Sequence, residues 1–211
     1  MSLYDSFQSV VSSLGMEEIT HPIFYNSQVG IRFNIGDNGN DVYIDKDNDE
    51  FLVNPNYVSA CLERSLKIYH SLKTAPDLLV VEGYLEQDEK HKDFISAVMS
   101  AANLPQPEEI STKTIKSEEN EFNNIFLFWN LKDFCPDKLL EEIIKADLGG
   151  NNFLTSSVYF VCTNDNVLFH LYDDRGADLV SDKKEKIQHV YFGLDNLILG
   201  YDREKIDDIF K

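Results

Sequence analysis

The stretch Val167-Leu-Phe-His-Leu-Tyr-Asp-Asp-Arg-Gly-Ala-Asp-Leu-Val180 decides how this chain folds. Two apolar runs, Val167 to Tyr172 and Ala177 to Val180, flank Asp173-Asp-Arg-Gly176. Aspartate suits the first position of a type I turn, and a following glycine in the left-handed region forms a bulge. The stretch therefore reads as a β-hairpin, and an antiparallel pair here rules out a purely parallel sheet.

Working outward, Ser157 to Cys162 reads as the preceding strand. Downstream, Asp182 with Glu185 three residues on has the form of a capping box. It opens a helix whose apolar face is Ile187, Val190, Tyr191, Leu194 and Ile198, and a short terminal helix starts near Asp202. Upstream, Phe122 to Leu131 reads as a central strand. Pro136 opens a helix with Leu139, Leu140, Ile143 and Ile144 on one face, ended by Gly149-Gly150.

The first half follows similar rules. Leu3, Phe7, Val10, Val11 and Leu14 recur at helical spacing, and Gly15 stops them. Gln28 to Ile35 alternates as a strand does, and Gly36-Asp-Asn-Gly39 is a turn. Asp41–Asp45 and Glu50–Val53 read as hairpin arms around 46–49. Asn54 is an N-cap and Pro55 a first helical residue. Behind them Val58, Cys61, Leu62, Leu66, Tyr69 and Leu72 form an apolar band. Asp77 to Leu85 is a strand covered on both faces, and Phe94 to Ala102 a helix.

Strand–helix–strand order occurs in both halves, suggesting two β-α-β-like units. The expected class is therefore α+β, or mixed α/β, with a mixed sheet, hairpins and amphipathic helices packed on it. Residues 1–211 read as a single domain. A possible subdivision into 1–103 and 122–211 has 104–121 as linker, within which Ile110–Ile115 could be an edge strand.

Thirty-seven acidic residues face 19 basic ones, for a net charge of −18. Nucleic-acid backbones are bound by clustered Lys and Arg, so no nucleic acid is expected. An anionic membrane surface is disfavoured for the same reason. The longest apolar run, Ile125-Phe-Leu-Phe-Trp129, is too short to span a bilayer. Three scattered cysteines, Cys61, Cys135 and Cys162, and no basic segment followed by an apolar run point to a reducing, cytoplasmic setting. A field of this sign would draw a basic protein partner.

The acidic run Asp45-Lys-Asp-Asn-Asp49 spaces its carboxylates like a calcium loop. However, Glu50 stands where the loop needs glycine and Asn56 where it needs a bidentate Glu, so a hairpin fits better. No metal and no cofactor are expected, because no HExxH, GxSxG, GxGxxG or phosphate-binding loop occurs. The candidate polar site is the hairpin itself: His170, Asp173, Asp174, Arg175 and Asp178 could gather nitrogen and oxygen ligands or an acid–base pair at one end. Ordinary turn chemistry explains the same residues.

His170-Leu-Tyr-Asp-Asp-Arg-Gly-Ala-Asp178, a helix, and then Tyr201-Asp-Arg-Glu-Lys-Ile-Asp207 together resemble a bacterial family of uncharacterised proteins classed as a domain of unknown function. Ile31-Arg-Phe33 and the helix from Asn54-Pro-Asn-Tyr57 to Leu62-Glu-Arg64 are similar to that family's N-terminal half. The resemblance implies a fold and a bacterial source, and no catalytic residues. A structural clamp, with Arg175 pairing to Asp202 or Glu204, would fasten the tail to the sheet.

Two functions follow from these features. One is a binding protein that neutralises a basic protein partner, as an immunity protein does. The other is an enzyme or small-ligand-binding protein with its site near residues 170–178, marked by a concave pocket containing His170 and at least two carboxylates. Without a catalytic motif the balance leans away from an enzyme.

Overall fold

Alternation along the strands splits the apolar residues between two faces of one sheet. The computed structural model describes residues 1–36, 42–45, 50–85, 91–116, 121–150, 154 and 158–211. The strands are β1 (Val29–Asn34), β2 (Val42–Asp45), β3 (Glu50–Val53), β4 (Leu78–Leu85), β5 (Glu109–Lys116), β6 (Glu121–Asn130), β7 (Val158–Cys162), β8 (Val167–Leu171) and β9 (Gly176–Ser181). Seven of them form an open sheet in the order β1-β9-β8-β7-β4-β6-β5, and β2 and β3 pair separately.

The α+β class is as expected, but the sheet is antiparallel at every pairing among the described strands, not mixed. Of the two expected strand–helix–strand units the second is present in split form, while in the first the strand before residues 54–73, β3, pairs with β2 outside the sheet that holds β4. β6 and β7 run the same way, yet β4 lies between them, and β6 likewise separates β4 from β5. A long crossover can skip a strand, so chain order alone does not reveal which strands are neighbours. Residues 104–121 are not simply a linker, since they contain β5, the edge strand.

One face lies under the helices α3 (Pro55–His70), α4 (His91–Ala102), α5 (Asp137–Ala146), α6 (Lys184–Gly193) and α7 (Arg203–Phe210). It presents Ile31, Phe33, Leu79, Val81, Ile125, Leu127, Trp129, Phe160, Phe169 and Leu179 to them, all buried. The other face is covered in part by α1 (Leu3–Ser13), through Phe7, Val10, Val11 and Leu14. These side chains meet Leu78, Val80, Phe126, Phe128, Tyr159, Val161, Leu168 and Val180. Burying each large apolar side chain contributes roughly 1.5–3 kcal/mol, so both layers matter to stability.

Local signals account for most helix ends. Ser2 and Asp5 form a capping box on α1, and Asn54 accepts from the Asn56 backbone at 3.0 Å with Pro55 at the first position of α3. Gly15 takes a positive φ of 91° after α1. Asp182 does not cap α6: Lys183 occupies that position with no side-chain cap, while Asp182 pairs with Lys186 at 2.7 Å. The turn expected at 37–39 and the calcium-like run at 46–49 lie outside the described residues. Among the described residues no helix is long and apolar enough to cross a membrane.

Candidate functional site

The face carrying α1 changes character along its strands. Beyond the phenylalanines, the same alternating positions become polar. Arg32, Asp178, His170 and Tyr159 are direct cross-strand neighbours on β1, β9, β8 and β7. Four consecutive strands thus place four polar side chains in one row, which only a strict two-residue period can do.

The row is tightly bonded. Arg32 Nε donates to Asp178 Oδ1 at 2.7 Å and Nη2 to Oδ2 at 2.8 Å. The Phe24 backbone N–H adds a bond to Oδ2 at 3.3 Å. Asp178 is 1% exposed. Burial opposes the charge on both partners and raises the Asp178 carboxyl above the usual range, while the fork raises the guanidinium above its already high value. The guanidinium also lies 4.8 Å from the Tyr25 ring centre and 5.6 Å from that of Tyr172. Its Nη1 edge takes no part in the fork.

At the other end, Tyr159 donates to Glu82 Oε2 at 2.7 Å. Glu82 is also buried, and its Oε1 accepts from Asn124 at 2.7 Å and Tyr84 at 2.9 Å. Burial, and then Glu82, hold the Tyr159 hydroxyl well above the ordinary tyrosine value. His21 leans over the row from the loop before α2 (Ile23–Asn26). Its Nε2 lies 2.6 Å from Tyr159 Oη, and its ring centre 4.8 Å from that of His170. Burial against these rings lowers the His21 pKa, opposed by Glu82 and Asp178. As a residue His21 is exposed to solvent.

The hairpin between β8 and β9 closes the site. Asp173 Oδ1 accepts from the backbone N–H of Arg175 at 2.8 Å and Gly176 at 3.1 Å, and Oδ2 accepts from Arg175 Nε at 2.8 Å. The Arg175 carbonyl receives the Ile35 N–H at 2.9 Å, which joins β1 to the tip. Gly176 does not take the left-handed conformation expected of it. Its reason is space: a Cβ there would lie 2.0 Å from Tyr172 Oη and 3.0 Å from the Phe33 carbonyl oxygen.

Between these parts lies a cavity of about 330 Å³, lined by His21, Pro22, Arg32, His170, Tyr172, Asp173, Arg175 and Asp178. Four of the five residues expected at the site meet here. Asp174 does not: it turns to α3, where Tyr57 donates to its Oδ2 at 2.5 Å. Burial raises the Asp174 carboxyl above the usual range despite that bond. Asp147, Asp173 and Asp174 bring oxygens within 4.8 Å of one another. Arg175 meets two of them, forking onto Asp173 and reaching Asp147 at 3.6 Å.

The clamp expected from Arg175 to Asp202 or Glu204 is therefore not formed, because nearer carboxylates take the guanidinium. The tail is fastened otherwise. Leu199 N–H donates to the Arg32 carbonyl at 2.8 Å, Tyr25 donates to Asp202 at 2.6 Å, and Arg203 pairs with Asp207 at 2.7 Å and with Asp195.

The site also contains His21, Arg32, Tyr159, Tyr172 and Glu82, which the sequence reading did not single out. Polar residues inside otherwise apolar strands were the available signal, at Glu82 after Leu78-Leu-Val-Val81 and at His170 in β8. A larger hollow of about 420 Å³ lies beside Val53, Pro55, Leu148 and Gly149. Its charged residues, Glu141 and Lys145, pair with each other, and Ser59 donates to the Pro55 carbonyl at 2.9 Å.

An open antiparallel sheet, helices on both faces and a polar cavity beside a cross-strand row define the class of this α+β fold. The chain belongs to the family described as Domain of unknown function (DUF3885), whose model matches residues 7–202. It is similar to the Uncharacterized protein YnaE of Bacillus subtilis (strain 168), at 24% identity over 193 residues, covering 81% of this chain and 86% of that protein. No solved structure matches the chain significantly.

Proposed function

We propose that the chain binds a small polar molecule in the cavity between His21 and the Tyr172–Gly176 hairpin. The observation that carries this reading is the convergence of two guanidiniums, two imidazoles and two carboxylates on one hollow of about 330 Å³. Small-ligand sites are concave and a few hundred Å³ in size, with a few polar groups that fix orientation. The two Arg–Asp pairs neutralise each other locally, so the hollow suits a neutral or weakly acidic molecule. Both guanidiniums line the hollow and can donate to its oxygen atoms.

A library of small alcohols, amides and organic acids, followed by amide and arginine Nε shifts, tests this. Binding should move the Arg32 Nε, Gly176 and His21 signals together. Hits that move only distant signals, or a library without hits, would count against the cavity as a site.

The charge of −18 supports a second reading, a basic protein partner held by long-range attraction. Capture of such a partner should weaken steeply as salt rises, and capture indifferent to salt would remove the electrostatic basis.

A further inference from the structure

We infer that His21, Tyr159 and Glu82 form a proton relay, with His21 Nδ1 accepting a proton from a weakly acidic hydroxyl or amide of the bound molecule. This rests on the cavity being a ligand site and adds the chemistry done there.

The bonding directions follow from counting hydrogens. Tyr159 has one hydroxyl proton, and it donates that proton to Glu82 Oε2 at 2.7 Å. Its oxygen can then only accept from His21 Nε2, 2.6 Å away. His21 must therefore carry its proton on Nε2 and present a lone pair at Nδ1, which makes no hydrogen bond among the described residues. The bond at one ring nitrogen sets the role of the other. Asn124 and Tyr84 donate to the second oxygen of Glu82.

The step balances. A ligand X–H gives its proton to Nδ1, the Nε2 proton passes to Tyr159 Oη, and the Tyr159 proton passes to Glu82. The ligand becomes an anion, His21 stays neutral with its proton on Nδ1, and Glu82 becomes a carboxylic acid. No charge is left on the imidazole, and Arg32 and Arg175 line the cavity where the anion forms. A base oriented by a second group that is in turn bonded to a carboxylate is the recurring logic of such sites. Tyr159 and Glu82 act through His21 and are positioning residues. Besides these two, the charged and titratable groups that line the cavity with His21 are Arg32, His170, Tyr172, Asp173, Arg175 and Asp178.

Nitrogen-detected spectra of the His21 ring in the ligand-free protein test the relay, with His21→Gln identifying its signals. At neutral pH the wild type should show a proton on Nε2 that exchanges slowly with water. Tyr159→Phe should abolish that slow exchange. Glu82→Gln should keep it and lower the His21 pKa, since a nearby negative charge is lost. A proton on Nδ1 in the wild type, or a His21 titration unmoved by Glu82→Gln, would overturn the relay. Because no ligand is present, either failure leaves the binding reading standing, and a library without hits leaves the relay geometry standing.

Discussion

Arg32 and Asp178 stand directly opposite each other on β1 and β9, and the guanidinium holds both carboxylate oxygens at 2.7 and 2.8 Å. Removing one partner of a buried pair strands the other charge, at a cost of about 3–5 kcal/mol. Arg32→Met should lose stability on that scale in urea unfolding. Replacing both residues, Arg32→Met with Asp178→Leu, should recover most of the loss. A double variant no better than the single one would show that the pair is not what the loss measures.

Tyr57 joins α3 to the hairpin through its 2.5 Å bond to Asp174. Tyr57→Phe leaves a buried carboxylate without its hydroxyl donor. Hydrogen bonds to charged groups contribute about 1.5–3 kcal/mol, and a loss of that size is expected in chemical denaturation. Because burial already raises the Asp174 carboxyl, the variant should also protonate it more readily, with the titration read at the carboxyl carbon.

Gly176 leaves room for Tyr172, so Gly176→Ala should destabilise by roughly 1–3 kcal/mol, the usual cost of overpacking. Adding Tyr172→Ala should make the glycine substitution cheaper, because the nearest atoms to the new Cβ belong to that ring. A glycine substitution equally costly in both backgrounds would place its cause in the backbone instead.

The lowered pKa of His21 links the site to pH. An unfolded histidine titrates near 6.5, so below that value the unfolded chain binds more protons than the folded one. His21 therefore contributes stability that is present above about pH 6.5 and lost as pH falls through its lower folded value. Urea unfolding between about pH 5 and 8 should show a shallower pH slope for His21→Gln than for the wild type. Equal slopes would contradict the assignment.

Much of the fold is legible in the sequence because local rules decide it. Asn54-Pro55 starts α3, Gly15 ends α1, and the run from Val167 to Val180 turns at Asp173. Strand order is less accessible: β4 enters between β6 and β7 from far along the chain, and no local pattern states it. The candidate site divides in the same way. His170, Asp173, Arg175 and Asp178 belong to one hairpin and can be found by proximity in sequence. Arg32 and Tyr159 reach the row only through the registers of β1 with β9 and of β7 with β8, and His21 through the path of the loop before α2, neither of which sequence spacing encodes. Gly176 reads as a turn residue in the sequence, although its role depends on where the Tyr172 ring lies.

The central claim is that the cavity beneath His21 binds a small polar molecule. The most direct measurement compares, by calorimetric titration, the affinity of a library hit for the wild type, His21→Ala and the exposed control His70→Ala. A direct hydrogen bond to the His21 ring predicts roughly tenfold weaker binding to His21→Ala and unchanged binding to His70→Ala. Equal affinities for all three proteins would contradict it.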